Sequence, residues 1–198
     1  MSPTTNLLDC CVRSIQGLDH EQIDDAARIL SRVRRERGRL FLAGSGGGAA
    51  HASHACCDFR KLCGIEAYCV SDNAAELTAR VNDDGWESSY ANWLRVPRLD
   101  RNDALLIVSV GGGSTHPPVS TNLVTAMEFA RSLGAATLAV VGRDGGHAGR
   151  VADVAVLIPC DRPEFVTPVT EAVQSVVLHA LAVHPLLAIL KAKWEGLV

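Results

Sequence analysis

Two apolar runs, Arg39–Ala43 (RLFLA) and Asp103–Val110 (DALLIVSV), each pass straight into a glycine-rich loop and then into a stretch with helical spacing. A short, nearly continuous apolar run bounded by glycines suits a strand buried on both faces, as in a parallel sheet. Three more such runs follow the same logic: Glu66–Val70 (EAYCV), Ala135–Val141 (AATLAVV) and Val154–Ile158. Between them lie helix-like stretches, from the first glycine loop to about Lys61, over Asn73–Arg80, Trp86–Trp93 and roughly Val119–Leu133, and then Val169 to about Val183. Parallel strands need crossovers, so strand, loop, helix and strand in repetition predict an α/β fold: a doubly wound parallel sheet between helical layers, a three-layer sandwich. Residues 3–37 add two helices ahead of it. Asp19 can cap the second, in which Ile23, Ala27, Leu30 and Val33 recur at helical spacing. No linker rich in Pro, Gly or Ser divides the chain, which predicts one domain over 1–198 with a helical N-terminal extension.

Composition narrows the function classes. Of 198 residues, 47% are hydrophobic and 21% charged, which excludes a disordered chain or a collagen. A net charge of −3 gives no general attraction to nucleic acid or to anionic lipid. The basic cluster Arg32, Arg34, Arg35 and Arg37 suits the last turn of a helix, where cations oppose the dipole. The apolar runs fall short of the roughly 18–20 residues that cross a bilayer, and the N-terminus lacks a signal-peptide pattern. Seven cysteines, two pairs of them adjacent and none spaced CxxC, read as free thiols in a reducing compartment, the cytoplasm.

In an open parallel sheet the ligand lies at the carboxyl ends of the strands. Gly44–Gly48 and Gly111–Ser114 are both placed to offer backbone N–H groups to an anion, with Ser45, Ser109, Ser114 and Thr115 as hydroxyl donors. The first loop nearly fits the dinucleotide pattern GxGxxG. The following strand, however, opens with Glu66 and ends in Val70, where a ribose-holding acid belongs, and this argues against a nicotinamide site. The helix after that loop carries His51, His54 and Asp58 on one face, among small and apolar neighbours. A His and a carboxylate at i and i+4 can bind one metal or share a proton-transfer task. The last helix repeats the theme, with Glu171, Gln174 and His179 in an otherwise apolar run and Ser175 between the outer two.

Taken together, these residues resemble the sugar isomerase (SIS) domain family, in its phosphoheptose isomerase branch. The family's glycine loop and His-x-x-x-Glu helix are matched by GSGGGAAHASHACCD, with His54 and Asp58 in those positions. Its Asn-Asp-x-Gly motif is matched by Asn82-Asp83-Asp84-Gly85, and its Ser/Thr phosphate loop by Ser109–Thr115. The turn Gly-x-Asp-Gly-Gly stands at Gly142–Gly146, and Gln followed eight residues later by His is matched by Glu171 and His179. The resemblance implies a sugar-phosphate aldose–ketose isomerase acting through an enediolate, with Asp58 and His179 as acid and base. It implies one zinc per subunit held by His54, Asp58, Glu171 and His179, and substrate binding by Ser45, Gly46, Gly47, Asn82, Asp83, Ser109, Gly111, Ser114, Thr115 and Glu171. It also implies a homotetramer with sites between subunits, packed partly through 1–37. The alternatives are an isomerase of a different sugar phosphate, or a non-catalytic module that binds phosphosugars or proteins.

Five departures bear on this. Asp58 stands for Glu, shortening the reach by about 1.5 Å, one C–C bond. Glu171 stands for Gln, Val110 and Gly111 for Thr and Ser, and Gly48 for Ser. A displacement of about 1 Å at a reacting group can cost on the order of 100-fold in rate.

Overall fold

The computed structural model describes residues 2–194, 196 and 197. Five strands form the main sheet: β1 (Arg39–Gly44), β2 (Glu66–Cys69), β3 (Ala104–Ser109), β6 (Ala136–Val141) and β7 (Val154–Leu157). Their order is β2-β1-β3-β6-β7, every pair parallel. The chain winds outward from β1 to β2, then crosses back to β3 and continues the other way. The topological switch therefore lies between β1 and β3, where Gly44 pairs with Val108. Both glycine-rich loops leave the sheet at that point, which is where a doubly wound sheet opens a crevice.

Side-chain alternation along β3 builds two cores. Ala104, Leu106 and Val108 face α1 (Pro3–Gln16), α2 (His20–Arg35), α3 (Gly47–Lys61) and α8 (Val166–Ala182). Leu105 and Ile107 face α5 (Ser89–Arg95) and α6 (Thr121–Ser132). This is the three-layer α/β sandwich that the strand pattern predicts. The N-terminal helices belong to the first core: Cys10, Ile23, Ala27, Leu30 and Val33 are buried with the sheet residues. Register at the lower edge is fixed by Asp103. Its carboxylate, 2% exposed, accepts from Arg39 N–H (2.8 Å), Arg39 Nη2 (2.7 Å) and Asp100 N–H (3.0 Å), joining the starts of β1 and β3.

Several boundaries moved for physical reasons. The helix expected from Asn73 is α4 (Ala74–Asp84), because the Asn73 side chain caps it by accepting from the N–H groups of Ala75 and Glu76. The next helix starts at Ser89 rather than Trp86. The last helix begins earlier than expected, at Val166, since Pro168 falls in its first turn, where no intrahelical N–H is needed. Val119 is not helical: it sits in a two-stranded hairpin, β4 (Ser114–Thr115) and β5 (Pro118–Val119), which precedes α6. A short helix, α7 (Gly146–Val151), also escaped the periodicity, being under two turns long.

The segment Pro163–Ala182 has 20 residues and a mean hydropathy of 1.3, the profile of a membrane span by composition. Its Val169, Val173, Val177 and Leu181 are buried in the first core, so it serves here as a core helix.

Candidate active site

Helices α3 and α8 lie side by side and run in the same direction, so equal steps along each bring matching side chains together. One such pair is His51 and Gln174, with Nδ1 and Oε1 3.3 Å apart. The fully buried Gln174 also donates its Nε2 to the Val140 carbonyl at 3.2 Å. That fixes the amide, leaving its oxygen to accept from Nδ1–H of His51. The pair ties the two helices to the sheet one turn ahead of the next contact.

That next contact is a cluster of three. His54 Nε2 lies 3.1 Å from His179 Nε2, and Asp58 Oδ2 lies 3.3 Å and 3.5 Å from those two nitrogens. Among the described residues these three offer ligand atoms within 4.8 Å of one another. Bonds of about 2.0–2.1 Å to a tetrahedral zinc put neighbouring ligand atoms about 3.3–3.4 Å apart, so the cluster has the size of one face of such a tetrahedron. Two imidazole nitrogens facing each other beside a carboxylate also suit a cation chemically, since all three present lone pairs. The His54 and His179 side chains are 60% and 53% exposed and that of Asp58 is 17% exposed, so the fourth direction is open. Behind His179, Nδ1 stands 3.5 Å from Ser175 Oγ. The shorter Asp58 therefore does reach both histidines.

The first glycine loop is shaped by close contacts. A Cβ at Gly48 would stand 2.3 Å from the Val108 carbonyl oxygen, so no serine fits there with this backbone. Gly44 offers its carbonyl to the buried Tyr90 hydroxyl at 2.8 Å, which pins the loop. Ser45, Gly46 and Gly47 follow at the carboxyl edge. In the second loop Ser109 Oγ accepts from Gly112 N–H (3.1 Å) and Ser114 Oγ from His116 N–H (3.2 Å), so both hydroxyls shape the loop itself. Gly111 is half-buried, and Thr115 lies exposed on the hairpin.

Matching the SIS domain family model to the chain aligns residues 9–142. The chain belongs to the SIS domain family. A lincomycin biosynthesis protein from Streptomyces lincolnensis is 34% identical over 189 residues, 92% of this chain and 68% of that protein. A phosphoheptose isomerase from Helicobacter pylori is 29% identical over 176 residues, 85% of this chain and 84% of its own length. Among solved structures, the phosphoheptose isomerase of Neisseria gonorrhoeae superposes with a TM-score of 0.78 at 23% identity, covering 90% of this chain and 95% of its own.

Within this SIS domain the expected site residues fall into separate places. His54, Asp58 and His179 converge. Glu171 does not join them: its carboxylate lies against Gly47, where an added Cβ would meet it at 2.5 Å. Eight residues of helix separate Glu171 from His179, about 12 Å. The same spacing of two turns that put both on one face keeps them from one ion. Asn82 and Asp83 sit exposed at the end of α4, where Asn82 Nδ2 donates to Asp83 Oδ1 at 2.7 Å. The cluster itself is not at the carboxyl edge of the sheet. His54 and Asp58 lie seven and eleven residues along α3 from Gly47, about 10 and 16 Å.

Sequence reasoning missed Tyr90 and the bracing role of the His51–Gln174 pair. The signal for the latter was a glutamine in an otherwise apolar helix; Tyr90 left none, because its partner is a backbone carbonyl. Volume is no guide to the site either. A cavity of 870 Å³ lies between α3, β2 and α4, lined by Cys57, Arg60, Tyr68, Asp72, Glu76 and Trp93 without any residue of the cluster.

Proposed function

We propose that this SIS domain is a phosphosugar aldose–ketose isomerase, with D-sedoheptulose 7-phosphate and D-glycero-D-manno-heptose 7-phosphate as its substrate pair. The observation that carries the reading is the convergence of His54, Asp58 and His179 at ion-binding distances in a chain 29% identical to a phosphoheptose isomerase. His54, Asp58 and His179 are the residues that would hold zinc, which when bound polarises a substrate carbonyl as a Lewis acid. Asp58, through Oδ1, and His179, through Nδ1, each keep an atom that the ion does not engage and form the acid–base pair. One takes the proton from the carbon beside the carbonyl, giving an enediolate, and the proton returns to the adjacent carbon. Ser175 beside Nδ1 steadies the His179 ring, so that Nε2 faces His54 and Asp58.

The glycine loops take the phosphate end. A seven-carbon phosphate spans roughly 10 Å, eight bonds of about 1.5 Å in zigzag. Asp58 lies about 16 Å along α3 from the first loop of the same chain, which favours a site built from the cluster of one copy and the loops of another. Glu171 would reach the cluster as a fourth ligand only from such a second copy. An exposed apolar stripe on α1 (Leu8, Val12, Ile15), with Val176 on α8 and Val183 just past its end, supports self-association, as a homotetramer in which 1–37 take part in packing. The whole of 1–198 then acts as one domain. Seven free cysteines suit a reducing, cytoplasmic setting.

A second reading concerns the substrate alone. The higher identity, 34%, is to a relative named for antibiotic biosynthesis, which favours a different sugar phosphate in the same chemistry. The deciding experiment measures metal content, then incubates the protein with sedoheptulose 7-phosphate. Product lost on chelation and restored by zinc supports the first reading. Metal without turnover moves the assignment to another sugar phosphate, and neither metal nor turnover sinks the isomerase in favour of a binding module.

A further inference from the structure

Of the seven cysteines, Cys10 and Cys160 are the two whose thiols touch each other among the described residues. Cys10 Sγ, on α1, stands 3.7 Å from Cys160 Sγ, in the connection between β7 and α8, although 150 positions separate them in the chain. The same connection holds α1 by further contacts. Arg13, one turn along the helix, pairs with Asp161 through Nε (2.7 Å) and Nη2 (3.1 Å), and the Cys10 thiol donates to Asp161 Oδ1 at 3.2 Å. A Cβ at Gly17, just past the end of α1, would stand 3.1 Å from Pro159 Cγ, so the helix end is seated on this segment too. Other buried thiols have oxygen partners instead: Cys63 donates to the Ala182 carbonyl at 3.3 Å, and Cys69 Sγ has Ser71 Oγ at 3.3 Å.

The two touching sulfurs differ in environment. Cys10 is fully buried, and burial, with the Asp161 carboxylate beside it, pushes its thiol up to about 11, so it stays protonated. Cys160 is half-buried, which makes it the sulfur that an oxidant reaches. We infer that Cys10 and Cys160 form an oxidisable dithiol, which hydrogen peroxide converts into a disulfide joining α1 to the connection between β7 and α8. The Cys160 sulfur attacks one peroxide oxygen. The S–O bond forms, the O–O bond breaks, and the second oxygen leaves as water with the thiol proton. Cys10 then attacks the sulfenic sulfur: the S–S bond forms, the S–O bond breaks, and hydroxide leaves with the Cys10 proton as a second water. The two thiols together lose two electrons, which the peroxide takes up. Contact between the sulfurs makes the second step intramolecular, which offsets the weak nucleophilicity of a protonated thiol. The link restricts the unfolded chain across 150 positions and so stabilises the fold. It stands apart from the isomerase reading, since neither sulfur belongs to the cluster of His54, Asp58 and His179.

Treating the full chain with hydrogen peroxide, blocking the remaining thiols, and digesting without reductant for mass spectrometry tests it. The expected product is a linked pair of peptides, two hydrogens lighter than their sum, one containing Cys10 and the other Cys160. The link should persist in Cys11→Ser, which removes the neighbouring thiol, and vanish in Cys10→Ser and Cys160→Ser. In Cys10→Ser, Cys160 should stop at the sulfenic acid, which dimedone captures. Oxidised wild type should melt about 4–16 °C above the reduced protein, an increment that dithiothreitol removes, while peroxide leaves the Tm of Cys160→Ser in place. Circular dichroism shows whether each variant is folded; if Cys10→Ser is not, Cys160→Ser and Cys160→Ala carry the comparison. Peroxide-treated wild type without the Cys10–Cys160 link, a link that survives in Cys160→Ser, or a linked protein whose Tm does not move overturns the inference.

Discussion

Replacing Asp58 by Glu restores the residue type expected from the family motif, yet the geometry predicts a loss. Asp58 Oδ2 already stands 3.3 Å and 3.5 Å from the two histidine nitrogens, which are 3.1 Å from each other. These are the edges of a ligand triangle about the size zinc requires. One more methylene advances the carboxylate by up to about 1.5 Å, nearly half an edge, unless the side chain folds back out of its staggered rotamers. A misplacement of about 1 Å costs on the order of 100-fold in rate, which corresponds to about 2.7 kcal/mol of transition-state stabilisation. The Asp58→Glu enzyme should therefore show kcat/KM lowered about 100-fold with sedoheptulose 7-phosphate, and weaker zinc binding in a chelator competition. Turnover equal to or above wild type would refute the reasoning. It would mean that α3 and α8 adjust freely, or that the carboxylate does not sit where the cluster places it.

The paired substitution of His54 and His179 by Ala should empty the metal site; elemental analysis finding wild-type zinc content would rule out this ligand set. Asp103→Ala strips four N–H donors of their carboxylate and leaves Arg39 partly buried without its counter-charge. The loss should be about 3 kcal/mol, the lower end for breaking a buried pair, since Arg39 keeps some solvent access. For a chain of this size that is a fall in Tm of about 6–12 °C, and a melting curve shifted by less than 2 °C would count against it. Near the N-terminus, Arg13 beside Asp161 holds its carboxyl down at about 2 from an ordinary 3.8, helped by a hydrogen bond from the Cys10 thiol. Because the folded value is the lower one, this contact contributes in full above about pH 4 and is lost as pH falls through about 2. Asp161→Asn should remove that acid dependence; wild-type and variant unfolding curves that remain parallel between pH 4 and 2 would show the contact to be inert.

The sheet was legible in the chain because buried parallel strands write themselves as local apolar runs. Leu40, Leu106 and Val140 need only be apolar and bounded by glycines to be read. The doubly wound architecture follows from strands alternating with helices, a regularity of sequence. Within the site, the pairing of His54 with Asp58 was also local, one turn of one helix. Their meeting with His179 was not, since the two histidines stand 125 positions apart in the chain. Helical spacing puts Glu171 and His179 on one face equally well, and only the parallel packing of α8 on α3 decides which of them meets His54. It sends His179 to the cluster and leaves Glu171 against Gly47, because eight residues of helix span about 12 Å. The hairpin at Ser114–Val119 and the approach of Arg143 to Gly111 were likewise invisible, as they depend on how two loops from different strands share one edge. Short-range patterning determined which elements form and which residue types they carry. Long-range packing decided which of those residues share a site, since a separation in sequence sets no distance in space until the layers close.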